Sequence, residues 1–219
     1  MCSRYNVKIQ EKELEELQGV AAPDDVSNLS GDFLPHRKAP VIVQGKDNVL
    51  KFLPMNFSLV PSWSKDPKVK FATHNARIET VTEKPTWRKP FYSQHCLVPM
   101  TGFYESAYEG PLAGNIIEFS KPDQKLLFAA GIWDRWIDPL KQTADIFSFA
   151  ILTTIPTDFI EHYGHDRSPI FLDFEQGKKW LGENGNEKAQ IEFLNHSLIR
   201  PELSVKVERP LKAGWEKRK

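Results

Sequence analysis

Residues 96–106 have the sequence CLVPMTGFYES, in which two strand-like runs flank a short turn. The apolar run Cys96–Val98 predicts one strand, Phe103–Glu105 predicts the next, and Gly102 lies between them. Further strand-like runs lie on both sides of this stretch, at Val41–Val43, Val49–Phe52, Phe57–Val60, Ile116–Phe119, Leu126–Ala130 and Phe147–Thr153. Because these runs follow one another without regular helices between them, the sequence predicts an α+β fold. Its core should be a mainly antiparallel sheet or open β-barrel with short flanking helices.

Local signals refine this outline. The turn sequence EGPLAGN at 109–115 predicts a hairpin between Tyr104–Tyr108 and Asn115–Phe119. Residues 8–20 have helical periodicity, and 22–38 have the composition of a loop. Shorter helices are predicted at Arg77–Thr82, Thr157–His162, Phe174–Gly182 and Ala189–Leu194, with Asp173 as the N-cap of the third. No linker rich in proline, glycine or serine divides the chain, so we expect one domain over residues 1–219.

Composition excludes several classes of protein. The 219 residues are 40% hydrophobic and 26% charged, which is typical of a globular protein. No apolar run approaches the ~20 residues of a membrane span, and the N-terminus lacks the apolar region of a secretory signal. We therefore expect a cytoplasmic protein, by default a monomer. Two cysteines, Cys2 and Cys96, are too few for a disulfide framework or a cysteine-rich zinc site, and no cofactor is expected.

Charge is balanced overall but unevenly distributed. Equal numbers of basic and acidic residues, 29 of each, argue against a protein that coats DNA by bulk electrostatics. The segment Ser62–Pro90 departs from this balance, with three acidic residues against seven basic ones: Lys65, Lys68, Lys70, Arg77, Lys84, Arg88 and Lys89. This segment predicts a local basic groove.

Cys2 has chemistry that no internal cysteine has, provided that Met1 is removed. The new N-terminus would carry a free α-amine beside a thiol. The amine, with an ordinary pKa near ~7.7–8.0, is partly neutral at physiological pH and can form a Schiff base with an aldehyde. The thiol can then close on the imine carbon to give a thiazolidine. The alternative is a chance cysteine near the end of the chain.

Three other places carry groups suited to catalysis. Asn75, in the stretch FATHNARIET, can donate to an oxyanion or hold a sugar hydroxyl, or can instead cap a helix. Arg77 can bind a phosphate, or pair with a nearby glutamate. Glu105 follows aromatic residues that would raise its pKa, unless it lies on the surface. His165, in HYGHDRSPIFL, can transfer protons near neutrality or serve as a structural loop residue.

Taken together and in order, these motifs resemble the SRAP (SOS response-associated peptidase) family, the abasic-site processing proteins of the YedK and HMCES type. The matching segments span residues 1 to about 170 and are Met1-Cys2-x-Arg4-Tyr5, Pro61-x-Trp63, Asn75-Ala76-Arg77-x-Glu79-Thr80, Cys96-Leu97-Val98-Pro99-x-x-Gly102-Phe103-Tyr104-Glu105 and His165-Asp166-Arg167-x-Pro169.

The resemblance implies a covalent thiazolidine link between Cys2 and the ring-opened sugar of an abasic site in single-stranded DNA. It implies slow reversal, a lyase-like activity and a peptidase-like removal of Met1. Asn75 would hold the cysteine amine or the sugar oxygen, Glu105 would move protons during Schiff-base formation, and His165 would assist sugar opening and reversal. Phosphate contacts are implied for Arg4, Arg77 and Arg167, and base stacking or strand wedging for Trp63.

Four positions depart from the family pattern: Ser3 and Ser58 replace glycines, Asp32 replaces an asparagine, and Ser106 replaces an aromatic residue. Ser3 would narrow the pocket of the nucleophile, and Asp32 would bring an acid toward DNA. Two other functions stay open at this stage. An N-terminal cysteine amidohydrolase or peptidase would use the same amine and Asn75, and would act on model amides without DNA. A non-catalytic DNA-binding module would bind intact DNA equally well and survive loss of Cys2.

Overall fold

A computed structural model describes residues 2–9, 17–21, 29–182 and 186–218. Most of the helix predicted at 8–20 lies outside the described residues, as does part of the loop predicted at 22–38. No helix among the described residues is long and apolar enough to cross a membrane.

Strands dominate the described part of the chain. In order they are β1 Arg4–Val7, β2 Val20–Ala21, β3 Gly31–Phe33, β4 Lys38–Gln44, β5 Leu50–Phe57, β6 Asn75–Arg77, β7 His95–Met100, β8 Gly102–Ala107, β9 Asn115–Ser120, β10 Leu127–Trp136, β11 Ile146–Thr154, β12 Ser168–Pro169, β13 Phe171–Leu172 and β14 Ser204–Pro210. The α-helices are α1 Pro85–Ser93, α2 Asp158–His162, α3 Phe174–Gly182 and α4 Glu187–Ser197. Single 3₁₀ turns lie at Ile78–Thr80 and Trp215–Arg218.

The strands form two sheets. The smaller has the order β14-β9-β8-β1-β3, and each neighbouring pair in it is antiparallel. In the larger, β11, β10, β7, β4 and β5 pair successively as antiparallel neighbours. A parallel pairing of β5 with β11 then closes these five strands into a barrel. The predicted α+β fold with mainly antiparallel pairing is confirmed, and the structure adds that the barrel is closed.

The stretch CLVPMTGFYES connects the two sheets, because β7 belongs to the barrel and β8 to the smaller sheet. At the corner between them, the Thr101 backbone nitrogen and hydroxyl donate to the backbone carbonyl and side-chain oxygen of Asn6, at 2.9 and 2.7 Å. Glycine suits the next position, since a Cβ on Gly102 would lie 2.8 Å from Glu118 Oε1 and 3.1 Å from the Phe119 carbonyl, and both groups would have to shift. The corner is thus closely packed.

Alternation along the barrel strands separates two apolar clusters. On β7, Cys96 and Val98 face the cluster shared with the smaller sheet, which contains Cys2 and Phe103. Leu97, between them, faces a second cluster that the helices cover with Trp87, Phe91, Trp180, Leu181 and Leu194. Both faces of β7 are therefore buried.

Several local predictions are confirmed. The hairpin of β8 and β9 forms around the predicted turn. α3 has the predicted bounds, and the Asp173 carboxylate accepts from the Gln176 backbone nitrogen at 2.7 Å. Helices were also predicted correctly at α2 and α4.

Other predictions were wrong or incomplete. A strand was expected at Phe57–Val60, but β5 ends at Phe57 because Ser58 has φ +138° and turns the chain away. The helix expected at Arg77–Thr82 is a single 3₁₀ turn that follows the extended residues of β6. Helix α1 and strand β14 were not predicted. Proline at the first position and within the helix obscured α1.

Candidate active site

Cys2 lies two residues before β1 and is almost completely buried, with 1% of its surface exposed. Strand β1 pairs with β8, with Arg4 opposite Tyr104. The Cys2 thiol donates to the Arg4 carbonyl at 3.7 Å, a weak contact. Burial raises the pKa of this thiol, and the charge of Glu105 raises it further. The thiol is therefore protonated at neutral pH and lies close enough to Glu105 to respond to its charge.

Asn75, the first residue of β6, holds the cysteine through its backbone. Parallel pairing with Ile151 of β11 fixes the position of Asn75, and its Nδ2 donates to the Cys2 carbonyl at 2.8 Å. Its Oδ1 is buried and has no hydrogen-bond partner among the described residues. The residue is extended and does not cap a helix. Asn75 thus anchors Cys2 and retains a buried acceptor beside it.

Glu105 and His165 form a buried acid–base pair. Glu105 lies on β8 on the same side as Phe103, and its Oε2 is 3.9 Å from His165 Nδ1. The two residues are 6% and 7% exposed. Burial raises the pKa of Glu105 and lowers the pKa of His165 to about 4. Burial thus favours the uncharged form of both groups.

Glu105 and His165 line a pocket of about 470 Å³ between the smaller sheet and the loop after α2, and Ser3, the neighbour of Cys2, lines it as well. Its lining residues are Ser3, Arg4, Leu34, Tyr104, Glu105, Ser106, Tyr108, Ile116, Gly164, His165, Asp166 and Arg209. His165 Nε2 is buried without a hydrogen-bond partner in the described part of the chain. The pocket wall thus carries an acid and an imidazole. The buried Cys2 precedes the lining residue Ser3 in the chain, and Asn75 is bound to Cys2.

The three predicted phosphate-binding arginines have different environments. Arg167 is 7% exposed, and both of its terminal nitrogens donate to Glu79 at 2.8 Å. Partial burial opposes ionisation of Glu79, but the Arg167 pair dominates and lowers its pKa. Arg167 also donates to the Thr153 carbonyl at 2.6 Å, so it braces the site from within the fold. Arg77 is half-exposed. Its ion pair with Asp166 is long, at 3.9 Å, so its guanidinium stays accessible.

Trp63 belongs to an exposed segment that we call the basic loop, residues 60–72. The backbone hydrogen bond from Leu59 N to the Thr73 carbonyl, 3.0 Å long, closes its base. Trp63 is 58% exposed, and its Nε1 donates to the Pro85 carbonyl at 3.2 Å. The loop also exposes Phe71, at 54%, and the side chains of Lys65, Lys68 and Lys70.

Two contributors were missed in the sequence. Asp134 is 2% exposed, and its carboxylate accepts from the Ser62 backbone nitrogen at 2.7 Å, which anchors the basic loop. Arg209 of β14 lines the pocket. The alternation of Leu203, Val205 and Val207 was the signal that could have revealed β14. Within the described residues, no cluster of histidine, cysteine or acidic side chains is arranged to hold a metal ion.

Comparison with known proteins identifies the family. The family model described as "SOS response associated peptidase (SRAP)" matches residues 1–208. Among similar proteins, the abasic site processing protein YoqW of Bacillus subtilis is 28% identical over 92% of this chain and 87% of its own length. The abasic site processing protein YoaM of the same organism is 30% identical over 70% of this chain and 66% of its own length.

Solved structures support the fold. A Bacteroides thetaiotaomicron protein superposes with a TM-score of 0.74 at 22% identity, covering 95% of this chain and 92% of that protein. A Bordetella bronchiseptica protein gives 0.75 at 20% identity, covering 95% and 100%. The architecture is thus shared at low identity, and the family match extends over nearly the whole sequence. The chain belongs to the SRAP family.

Proposed function

We propose that this protein captures abasic sites in single-stranded DNA by forming a thiazolidine with Cys2. The observation that carries the proposal is a pair of contacts, one between Asn75 and Cys2 and one between Glu105 and His165. Asn75 Nδ2 lies 2.8 Å from the Cys2 carbonyl, and Glu105 lies 3.9 Å from His165 while acting on the Cys2 thiol through its charge. The abasic-site names of the similar proteins supply the substrate class.

The first step exposes the nucleophile. Hydrolysis of the Met1–Cys2 peptide bond frees the α-amine of Cys2, while the hydrogen bond from Asn75 to the Cys2 carbonyl holds the new N-terminus. The unused Asn75 Oδ1 is a buried acceptor suited to the amine or to a sugar hydroxyl. Anchoring through the carbonyl leaves the amine and the thiol available to react.

The abasic sugar must open before it can react. Opening removes the proton of the C1′ hydroxyl and adds a proton to the ring oxygen, which leaves an aldehyde. His165 is neutral because burial lowers its pKa to about 4, so it can accept the first proton. Glu105, whose pKa burial raises, can deliver the second. The proton acceptor and the proton donor of this step thus lie 3.9 Å apart.

Two bond-forming steps follow. The Cys2 amine adds to the aldehyde carbon, and the resulting carbinolamine loses water, with Glu105 protonating the departing hydroxyl, to give an imine. The thiol sulfur then adds to the imine carbon while its proton passes to the nitrogen, closing the five-membered ring. The overall reaction releases one water, and its reversal uses the same two proton carriers.

The pKa of the thiol favours this order over amide hydrolysis. An N-terminal cysteine amidohydrolase attacks first with its thiolate. Here burial raises the pKa of the Cys2 thiol, which opposes thiolate formation. In thiazolidine formation the amine attacks first, and the sulfur adds afterwards to a more electrophilic imine.

The test uses a single-stranded oligonucleotide with one uracil converted to an abasic site by uracil glycosylase. Purified protein, shown by intact mass to lack Met1, should give a heat-stable band shift. Cys2→Ala should give none. Cys2→Ser retains the amine without the thiol, so it should be trapped only when borohydride reduces the imine.

A borohydride-reduced abasic oligonucleotide, which has no aldehyde, is the matched substrate control. A heat-stable shift of equal yield with Cys2→Ala, or with the reduced substrate, would exclude the proposal. Hydrolysis of model amides without DNA would support the amidohydrolase instead.

A further inference from the structure

Arg4 is committed to two carboxylates. Its Nη1 donates to both oxygens of Glu208, at 2.7 and 2.8 Å, and its Nη2 donates to Asp32 at 3.0 Å. The guanidinium carbon also lies 4.1 Å from the centre of the Tyr104 ring. Both terminal nitrogens of Arg4 are thus occupied by carboxylates, so a phosphate would have to displace one of them to bind there.

This three-residue cluster joins distant strands. Arg4 is on β1, Asp32 on the neighbouring β3, and Glu208 on β14, with β8 and β9 lying between β1 and β14. The Arg4 side chain therefore spans the smaller sheet across Tyr104. The Arg4 backbone carbonyl accepts a hydrogen bond from the Cys2 thiol. The cluster therefore restrains the strand that follows the nucleophile.

Arg209 has the opposite character. It is 53% exposed and lines the same pocket as His165 and Ser3. Among the described residues, its one ion pair is a 3.8 Å contact with Glu208, whose oxygens already bind Arg4. The N–H donors of its guanidinium are therefore available to another acceptor.

A bulge in β14 explains how consecutive residues reach one pocket. The register of β14 against β9 shifts between Val207 and Arg209. Successive residues of a regular strand face opposite sides, whereas a bulge can re-aim one of them. Glu208 binds Arg4 at the pocket wall, and Arg209 lines the pocket beside it.

We propose that Arg209 binds a DNA phosphate at this pocket, and that Arg4 is a positioning residue held by Asp32 and Glu208. The proposal deepens the proposed function and rests on single-stranded DNA as its substrate. It reassigns the phosphate contact that the family resemblance gives to Arg4. A strand entering the pocket thus meets an accessible guanidinium from β14, while β1 stays fixed.

The test separates binding from chemistry. The probe for binding is a fluorescein-labelled single strand with one tetrahydrofuran site, which lacks an aldehyde, titrated by anisotropy over a range of salt concentrations. The probe for chemistry is the true abasic strand, with the cross-linking rate measured at saturating DNA. Arg209→Gln should raise Kd about five- to tenfold and reduce the salt slope by about 0.7, the value for one phosphate contact on a single strand. Its Tm should not change, and its saturating rate should fall less than that of Arg4→Gln.

Arg4→Gln should lower the saturating rate and the Tm but keep the wild-type salt slope. Glu208→Gln gives a readout that a merely structural role would not produce: it frees Arg4, so affinity and salt slope should both increase while the saturating rate falls. Lys206→Gln is the matched control, since it removes one exposed charge from β14 outside the pocket and should leave the salt slope nearly unchanged.

The proposal is overturned if Arg4→Gln reduces the salt slope and Arg209→Gln does not, or if Arg209→Gln and Lys206→Gln behave alike. If wild-type protein binds the tetrahydrofuran strand but never cross-links, the thiazolidine chemistry fails. The comparison of salt slopes still decides the role of Arg209 in that case.

Discussion

The pocket at Cys2 and the basic loop at residues 60–72 are built in opposite ways. At the pocket, the lining residues Glu105 and His165 and the nearby Cys2 are each at most 7% exposed, and burial shifts the pKa of all three. In the loop, Trp63 and Phe71 are more than half exposed, and the lysines beside them lie in solvent. One region has desolvated reactive groups, and the other has accessible cations and aromatic rings.

The contrast indicates that the pocket and the loop have different roles. Desolvation changes proton affinities and thus suits the pocket to bond making. Exposed lysines and aromatic rings suit the loop to a strand of DNA, which offers phosphates and stackable bases. Substitutions in the pocket should therefore change the rate of cross-linking, and substitutions in the loop should change affinity.

The largest effect is expected for Glu105→Gln. The amide keeps the size of the side chain but cannot exchange a proton, so the cross-linking rate at saturating DNA should fall by about 10²- to 10⁴-fold. Binding of the tetrahydrofuran strand should stay within about twofold of wild type. Single-turnover gel kinetics and anisotropy measure the two quantities. An unchanged rate with weakened binding would contradict the assignment of bond making to the pocket.

The loop should show the reverse behaviour when Lys65, Lys68 and Lys70 are all changed to Gln. Loss of three counterion-releasing contacts should lower the salt slope of binding by about 2 and raise Kd about 10- to 100-fold at low salt, with the saturating rate unchanged. The control changes three exposed lysines elsewhere, Lys46, Lys179 and Lys188, to Gln. Equal effects in both triple variants would mean that the loop lysines contribute only through the overall surface charge.

The buried imidazole predicts a pH effect on stability. The pKa of His165 is about 4 in the folded protein and near ~6.5 when unfolded. Between these values the unfolded chain binds a proton that the folded chain does not, so stability falls as the pH falls. Glu105, with its raised pKa, acts in the opposite direction.

His165→Gln removes only the imidazole contribution. Urea unfolding at pH 7 and pH 4.5 should therefore show wild type losing about 2 kcal/mol more than the variant. Parallel losses in the two proteins would indicate that His165 titrates normally in the fold.

Phe71 tests whether the loop also stacks on bases near the damaged site. Phe71 lies four positions before Asn75, which binds Cys2, so the two Cα atoms lie within about 14 Å. Phe71→Ala should raise Kd for the tetrahydrofuran strand about fivefold or more, because stacking contributes about 1–3 kcal/mol per base. Phe71→Tyr retains the ring and should bind normally. A strand that also lacks the bases flanking the site should bind both variants equally.

Candidate site residues were easier to predict from the sequence than the contacts that support them. Cys2, Asn75, Glu105 and His165 were predicted because their motifs are local and ordered; in the structure Asn75 contacts Cys2, and Glu105 and His165 line one pocket. The Glu208–Arg4 contact was not predictable, since 204 residues separate its partners. Barrel closure by β5 and β11 likewise depends on a parallel pairing between distant strands.

The departure at Ser58 allows the smallest prediction, at the junction of the two regions. Ser58 ends β5 just before the basic loop, with φ +138°, a conformation that favours glycine. It is 4% exposed, and its hydroxyl has no hydrogen-bond partner among the described residues. Strained backbone of this kind costs about 1–3 kcal/mol, which is partly offset by the greater freedom of an unfolded glycine.

Ser58→Gly should therefore raise the free energy of unfolding by about 1 kcal/mol. Ser58→Ala separates the two causes, since it removes the buried hydroxyl but keeps the Cβ, and it should recover less of the stability in urea unfolding. If alanine stabilises as much as glycine, the cost comes from the hydroxyl and not from the backbone. Because Ser58 contacts neither the pocket nor DNA in this scheme, the cross-linking rate and Kd of both variants should match wild type. A change in Kd alone would show that the junction sets the position of the loop.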